Sequence, residues 1–265
     1  QHPKVSIISV CLNSEKYILR SITSVNIQKY RNFEHIFIDG KSTDSTISII
    51  KKNAKNYKII SQKDEGIYDA MNKGINISRG EIICFLNSDD YLASDDILGK
   101  VAENLLKADS DDIILSCDVE LFNSSNDSKF IYKALKSSNS PLNFNQLPHP
   151  GLFIKFRSKQ DLIFDKNFRV VSDLHQQMSL IFKKKFKVTY GGFVSTKMEV
   201  GGESSGTLAK YINNYFESRA IYNDLFNKNG YLYASIRLLK NLFRRINSIN
   251  TFFNWHIVQY IYNNG

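Results

Sequence analysis

Two neighbouring carboxylates, Asp89 and Asp90, follow an unbroken apolar run, Ile82-Ile83-Cys84-Phe85-Leu86, with the Asn87 amide and the Ser88 hydroxyl in between. Oxygen donors grouped in this way suit a hard divalent cation such as Mg²⁺ or Mn²⁺, and a cation held by carboxylates can bridge to a diphosphate. The same residues equally suit a solvated turn leading to a helix that starts near Asp95. A third acid, Asp39, ends the apolar stretch Phe33-Glu34-His35-Ile36-Phe37-Ile38 and is followed by Gly40-Lys41-Ser42-Thr43-Asp44. A fourth, Asp173, opens a run with Leu174, Met178, Ile181 and Phe182 at helical spacing, where Ser172 or Asp173 can serve as the N-cap.

Short buried strands and amphipathic helices must position these acids. Val5 to Leu12 reads as a first strand, ended by Asn13-Ser14-Glu15. A helix follows from about Lys16 to Gln28, with Ile18, Leu19, Ile22, Val25 and Ile27 on or near one face. Phe33 to Ile38 is a second strand, Thr46 to Ala54 a helix, Lys58 to Ser61 a third strand, and a further helix leads into Ile82 to Leu86. Five apolar residues between a Gly turn and an Asn-Ser-Asp cluster fit a strand covered on both faces. Strands alternating with helices through short connections imply an α/β chain with a parallel, doubly wound sheet. In such sheets ligands sit at the carboxyl ends of the strands, at the switch point, which puts Asp39 on one side of the crevice and the Asp89-Asp90 pair on the other.

With 265 residues, of which 42% are hydrophobic, the chain can bury one large core plus an appendage. A spanning helix is not expected, because no apolar run reaches about 18 residues. Gln1-His2-Pro3-Lys4 lacks the apolar core of a signal peptide. Cys11, Cys84 and Cys117 are odd in number and each lies in or beside an apolar run, which favours reduced core thiols and a cytoplasmic location over a disulfide framework. The net charge of +9 points to an acidic partner: nucleic acid, anionic lipid or a phosphorylated substrate. Basic residues interleaved with apolar ones are clearest at the C-terminus and not in the acid-bearing part, which disfavours nucleic acid.

Asn13 after strand one, Asp39 to Asp44 after strand two, the segment Asp64 to Gly74, and Asn87-Ser88-Asp89-Asp90 occur in an order and spacing that resembles the inverting family 2 glycosyltransferases of the GT-A fold. The likeness spans roughly residues 3 to 200 and is greatest to bacterial members that build surface polysaccharides. It implies a Rossmann-like, mainly parallel sheet flanked by helices, with a C-terminal helical appendage. It also implies a nucleotide diphosphate-sugar as co-substrate, UDP-sugars being favoured, with Mn or Mg at Asp89 and a glycan or lipid-linked acceptor. Asp39 would hydrogen-bond the nucleotide base, and Val10, Asn13, Asn87 and Asp90 would line the nucleotide-sugar. In the family pattern Asp173 is the general base that takes the proton of the attacking hydroxyl. The chain departs from that pattern at two places: Asp39-Gly40-Lys41-Ser42 stands for Asp-Asp-Gly-Ser, and Ala70-Met71-Asn72 for an Ala-Arg-Asn triplet whose arginine faces the diphosphate. Lys73 is the substitute cation at that place, or else a solvated helix lysine; Lys63, Asp64 and Glu65 are further polar candidates.

The rest of the chain divides accordingly. Residues 1–206 read as the catalytic domain, with a nucleotide-sugar half to about 120 and an acceptor half to about 206, and 207–265 as a helical region. Phe122 to Ser140 is polar and reads as an edge hairpin with a loop, including a strand at Phe130 to Lys133. His149, bracketed by Pro148 and Pro150, either faces the substrate cleft or is a hydrogen-bonded turn residue. Val188 to Tyr190 is a last strand, and Glu199 to Gly206 a Gly/Ser loop able to close over a ligand or to serve as a linker. Arg237, Lys240, Arg244 and Arg245 lie among Ile236, Leu238, Leu239, Leu242 and Phe243, with Trp255 beyond. That pattern suits peripheral contact with an anionic membrane on its inner face, or packing on the catalytic domain or a second subunit.

Overall fold

The protein is described from a computed structural model covering residues 2–123, 128–134, 140–144, 146–199 and 208–240. In chain order the elements are β1 (Val5–Cys11), α1 (Ile18–Asn26), β2 (Phe33–Asp39), α2 (Thr46–Asn53), β3 (Tyr57–Ser61), α3 (Ile67–Ile77), β4 (Ile82–Phe85) and β5 (Tyr91–Leu92). They continue with α4 (Ile97–Leu106), β6 (Ile113–Asn123), β7 (Ser128–Tyr132), β8 (Leu152–Lys155), α5 (Ser172–Met178), β9 (Lys187–Glu199) and α6 (Leu208–Phe226). Residues 231–240 are helical as well. The chain forms two compact units, Gln1–Ser205 and Gly206–Gly265.

In the first unit the strands form one sheet in the order β3-β2-β1-β4-β8-β6-β9-β5, with β7 paired to β6. The strands β3, β2, β1 and β4 are mutually parallel, as alternating strand and helix require. β8 is antiparallel to both β4 and β6, so the second half of the sheet is mixed. All seven residues of β1 and of β2 are buried, which is why both read as continuous apolar runs. Alternate residues of β1 face two cores: Ile8 and Val10 pack with Ala70, Met71 and Ile75 of α3, while Val5 and Ile7 pack with Val25 of α1 and Leu98 and Val101 of α4. Helix α1 buries a narrower stripe than its composition suggests, because Leu19 and Ile27 stay 47% and 52% exposed.

Two strands differ from the sequence expectation. β7 runs from Ser128 to Tyr132, so the hairpin starts earlier, and β9 continues through Gly191-Gly192 to Glu199 rather than ending at Tyr190. The glycines permit this. Gly192 takes φ +77°, a Cβ on Gly191 would meet the Cys117 sulfur at 2.6 Å, and the β6–β9 register shifts between Ser116 and Val119. Cys11, Cys84 and Cys117 are buried and free, and burial pushes the Cys11 thiol up to about 12, so they act as packing groups. The Gly/Ser stretch 200–207 and Arg244, Arg245 and Trp255 lie outside the described residues.

The second unit turns back on itself at Gly230, whose N–H donates to the Asn223 side chain at 2.6 Å. Tyr222 stacks on Tyr233 with centroids 4.8 Å apart, and the Arg219 guanidinium lies 3.6 Å over the Tyr231 ring.

Gly74 lets α3 approach β1, since a Cβ there would fall inside contact distance of the Ile8 methyl. On an open helix Gly→Ala gains about 1 kcal/mol. At Gly74 the expected sign is opposite: Gly74→Ala should destabilise by about 1–3 kcal/mol through overpacking. Urea unfolding checks it, and a midpoint equal to or above wild type would contradict the packing described.

Candidate active site

One part of the candidate site is built at the carboxyl ends of β1 and β2. Asp39 ends β2 fully buried, and its carboxylate accepts the N–H groups of Lys41 (3.2 Å) and Ser42 (3.1 Å) and the Ser61 hydroxyl (2.7 Å). A buried carboxylate has to be matched by donors, and these come from the turn it starts and from the neighbouring strand β3. Asn13 sits in the left-handed region at φ 49° and accepts the Thr43 N–H at 2.9 Å, while its own N–H donates to the Ser42 hydroxyl at 2.8 Å. Lys41 is also left-handed, at φ 72°. Gly40 packs against Asp64, whose Oδ2 would lie 2.7 Å from a Cβ at that position. Next to this turn Leu12 leaves β1 with 57% of its surface exposed, an apolar platform beside the polar loop. Val10 lies within β1 at the edge of burial.

The acidic turn follows β4. Leu86 N–H bonds to the Ile8 carbonyl (2.9 Å), and the Leu86 carbonyl accepts the Ser9 hydroxyl (2.6 Å). Since Ser9 donates its proton there, the His35 Nε2–H donates to Ser9 Oγ across 2.9 Å. This buried relay joins β1 and β2 to the residue before Asn87, and burial pulls the His35 imidazole down to about 3. Asn87 Nδ2 donates to Asp90 at 3.2 Å, leaving the Asn87 Oδ1 and Asp90 Oδ1 atoms buried without a protein partner. Burial, and then the neighbouring charge of Asp89, raises the Asp90 carboxyl well above the usual carboxylate range. Arg20 of α1 holds the turn from outside. It donates to the Asp89 carbonyl at 2.9 Å, pairs with Glu199 at the end of β9 at 2.8 Å, and lies over the Tyr91 ring at 4.7 Å.

The third wall comes from α3, β8 and α5. Asp173 is in the first turn of α5, where Leu174 N–H donates to Oδ1 at 2.9 Å; the Tyr68 hydroxyl lies 3.3 Å from Oδ1, and the Gln146 amide donates to Oδ2. The N-cap of α5 is Val171, without a side-chain cap bond, so neither Ser172 nor Asp173 is the cap; the Asp173 side chain lies in the first turn and remains partly exposed. Asn72 of α3 exchanges two bonds with the Phe164 backbone, donating to its carbonyl at 2.9 Å and accepting its N–H at 2.8 Å. His149 stacks on Phe85 (5.2 Å) and meets Phe164 edge-on (6.0 Å). Both its ring nitrogens are buried without a protein partner, so it is not a hydrogen-bonded turn residue. Burial lowers the His149 pKa and the charge of Asp173 opposes that shift, which puts the ring within the field of the acid.

The structure thus brings Asn13, Asp39 and Asp64 together on one side, Asn87, Asp89 and Asp90 on another, and Asp173 with His149 on the third. Lys73 is drawn elsewhere: its ammonium pairs with Asp69 (2.9 Å) and donates to the Lys63 carbonyl (3.0 Å). Lys166 reaches the same Asp69 at 3.2 Å, and Asp69, lowered to about 2 chiefly by Lys73, anchors this lattice. Lys63 is exposed. Among the described residues no group of three or more His, Cys, Asp or Glu converges as a metal cage. The oxygen-rich turn with its orphaned buried acceptors fits a cation that draws its other ligands from substrate and water. Sequence reading missed Leu12, Arg20, Tyr68 and Gln146. Of these, Tyr68 could have been found, because helical spacing puts it on one face with Asn72.

A parallel half-sheet whose strand ends bear acids, continued by a mixed half, defines an α/β protein of the GT-A class. The model of Glycosyl transferase family 2 matches residues 6–189, and the chain belongs to that family. An uncharacterised glycosyltransferase of Mycobacterium tuberculosis is 35% identical over 105 residues, covering 39% of this chain and 40% of the relative. The PGL/p-HBAD biosynthesis glycosyltransferase of Mycobacterium bovis is 34% identical over 116 residues, covering 42% and 45%. The aligned part therefore spans less than half the length of these relatives. Among solved structures, S. aureus TarS 1-349 in complex with UDP-GlcNAc is similar with a TM-score of 0.66 at 20% identity, covering 86% of this chain and 69% of TarS 1-349. The mannosyltransferase PcManGT from Pyrobaculum calidifontis, in complex with GDP-Man and Mn²⁺, is similar with a TM-score of 0.62 at 17% identity, covering 90% and 70%. At those identities the likeness is one of fold.

The His35 relay gives a pH signature. His35 is held far below its unfolded value of about 6.5, so folding stability is full above that pH and falls as pH drops toward about 3. By pH 4 the loss from this residue should be on the order of 3 kcal/mol. Urea titrations at pH 7 and pH 4 measure it, and His35→Gln should flatten the difference. An equal pH dependence in both proteins would contradict a buried neutral imidazole.

Proposed function

We propose that the chain transfers a hexosyl or N-acetylhexosaminyl group, with inversion, from a nucleotide diphosphate-sugar to a hydroxyl of a glycan acceptor. The observation that carries this reading is the position of His149. Its ring packs on Phe85, at the end of the strand that leads to Asp89, and lies in the field of Asp173. An inverting displacement needs an acidic turn and a carboxylate base on opposite sides of the sugar, and the Phe85–His149 contact links the strand of the one to the neighbourhood of the other. UDP-sugars are the favoured donors, in keeping with the UDP-GlcNAc complex of TarS.

The residues divide the work as follows. Asp39 and its loop, with Asn13, Val10 and the Leu12 platform, would hold the base and ribose; Lys63 and Asp64 border the phosphates. Lys73 contributes through the lattice that shapes the Asp64–Gly66 turn. Asp89 would hold a divalent cation, Mn²⁺ or Mg²⁺, with Asn87 and Asp90 shaping its turn. When bound, such a cation neutralises charge on the departing diphosphate. Asp173 would accept the proton of the acceptor hydroxyl as that oxygen attacks the anomeric carbon.

Among the described residues no helix is long and apolar enough to cross a membrane. The C-terminal region, 207–265, is proposed to bring the chain to the inner face of a membrane carrying a lipid-linked acceptor, or to a second subunit, in the synthesis of a bacterial capsule, O-antigen or exopolysaccharide. Four basic residues, Arg237, Lys240, Arg244 and Arg245, could supply on the order of 4 kcal/mol toward an anionic leaflet.

Two outcomes check these readings. Asp89→Ala should abolish transfer and the Mn²⁺-dependent part of UDP binding while leaving the thermal midpoint near wild type; full transfer in EDTA would contradict the metal role. Liposomes containing anionic lipid should float the protein in low salt and release it in high salt, and changing the four basic residues to Gln should prevent flotation. A Gln variant that floats as before would refute the electrostatic attachment.

A further inference from the structure

Asp173 is gripped at both oxygens by groups from separate parts of the chain. Oδ1 takes the Leu174 N–H at 2.9 Å and faces the Tyr68 hydroxyl at 3.3 Å, whereas Oδ2 takes the Gln146 amide. A carboxylate oxygen offers two lone-pair positions, so Oδ1 is filled while Oδ2 keeps one free. The single proton of the Tyr68 hydroxyl is shared between Oδ1 and the Val170 carbonyl, 3.2 Å away in the backbone that leads into α5. Tyr68 is itself fixed: its ring packs on Phe164 with centroids 5.3 Å apart, and Asn72, one turn along α3, clamps the Phe164 backbone in both directions.

We infer that Tyr68 and Gln146 are positioning residues for the base, holding the Asp173 carboxylate so that the free lone pair of Oδ2 receives the acceptor proton. This rests on the reading of Asp173 as the base. In that step the acceptor oxygen bonds to the anomeric carbon, the bond from that carbon to the diphosphate oxygen breaks with its electron pair going to the diphosphate, and the acceptor proton moves to Oδ2. Tyr68 keeps its own proton throughout. A carboxylate free to rotate would present the wrong oxygen for much of the time. Misplacement of about 1 Å at a reacting group can cost about 100-fold in rate. The constraint therefore belongs to turnover and not to donor binding.

Water can replace the acceptor, so the test uses nucleotide release from the UDP-, GDP-, dTDP- or CDP-sugar that the wild-type chain hydrolyses fastest with Mn²⁺. Tyr68→Phe keeps the ring on Phe164 and removes only the hydroxyl. It should lower kcat about 10-fold or more, leave the donor KM within about twofold, and keep the thermal midpoint near wild type. Gln146→Leu should act in the same direction, and the double variant should lose less than the product of the two, because both act on one carboxylate. In an Asp173→Asn background, Tyr68→Phe should cost nothing further, whereas a general structural defect would still multiply through. A Tyr68→Phe protein within twofold of wild-type kcat, or one whose loss persists unchanged in the Asp173→Asn background, overturns the inference while leaving Asp173 as the base. An Asp173→Asn protein that turns over normally overturns the base assignment, and the inference with it.

Discussion

The paired hydrogen bonds between Asn72 and the Phe164 backbone are the constraint on which the candidate site depends. They are the place where α3, which leads into β4, takes hold of the segment that leads into α5. A side-chain amide that satisfies both backbone groups of one residue fixes distance and direction together, which a hydrophobic contact cannot do. From that clamp follow the ring contact between Tyr68 and Phe164, the edge contact between Phe164 and His149, and the approach of the Tyr68 hydroxyl to Asp173. The ion pairs of Lys166 and Lys73 with Asp69 lie on the same helix and add charge to the same junction. Partly exposed pairs of this kind contribute little stability each, so their value is in geometry.

Beneath the clamp, the sheet supplies the fixed frame. Parallel strands bring their carboxyl ends to one edge, and the buried polar relay from His35 through Ser9 to Leu86 ties β2 and β1 to the residue after β4, just before the acidic turn. The His35 Nδ1 atom of this relay is buried without a protein partner, so the relay confers one arrangement of the strand ends at a cost in stability. Arg20 does the equivalent from the surface, joining the Asp89 backbone to the end of β9 over two aromatic rings. Asp89 and Asp90 consequently differ although they are adjacent: Asp90 is buried and raised, while Asp89 is half-buried and available.

Much of this was legible in the chain itself. Full burial on both faces turns β1, β2 and β4 into apolar runs, and each run ends in the polar residue that the strand edge presents, so Asp39 and Asp89 could be placed without coordinates. The α/β order followed from the same runs, and the GT-A likeness from the order and spacing of Asn13, Asp39 to Asp44, Asp64 to Gly74 and Asn87 to Asp90. What could not be read is what long-range packing decides. The antiparallel direction of β8 leaves no trace in its four residues, and the extension of β9 depends on a register shift opposite Cys117. Tyr68 meets Asp173 across 105 positions of sequence. Lys73 was the substitute for the arginine that the family pattern carries beside it, or else a solvated helix lysine, and its ammonium pairs with Asp69, one turn earlier. His149 was recognisable as unusual between two prolines, but only the structure leaves both its nitrogens without partners.

The central claim is that Asp89 and Asp173 act from opposite sides of the transferred sugar, which requires the incoming oxygen to attack opposite the leaving diphosphate. Stereochemistry tests this most directly. With an α-linked sugar nucleotide, proton NMR of the anomeric region in the first minutes of reaction should show the product appearing as the β-anomer, identified by its coupling constant before any mutarotation. A product that first appears as the α-anomer would contradict an in-line displacement assisted by Asp173 and would require a different use of the same acids.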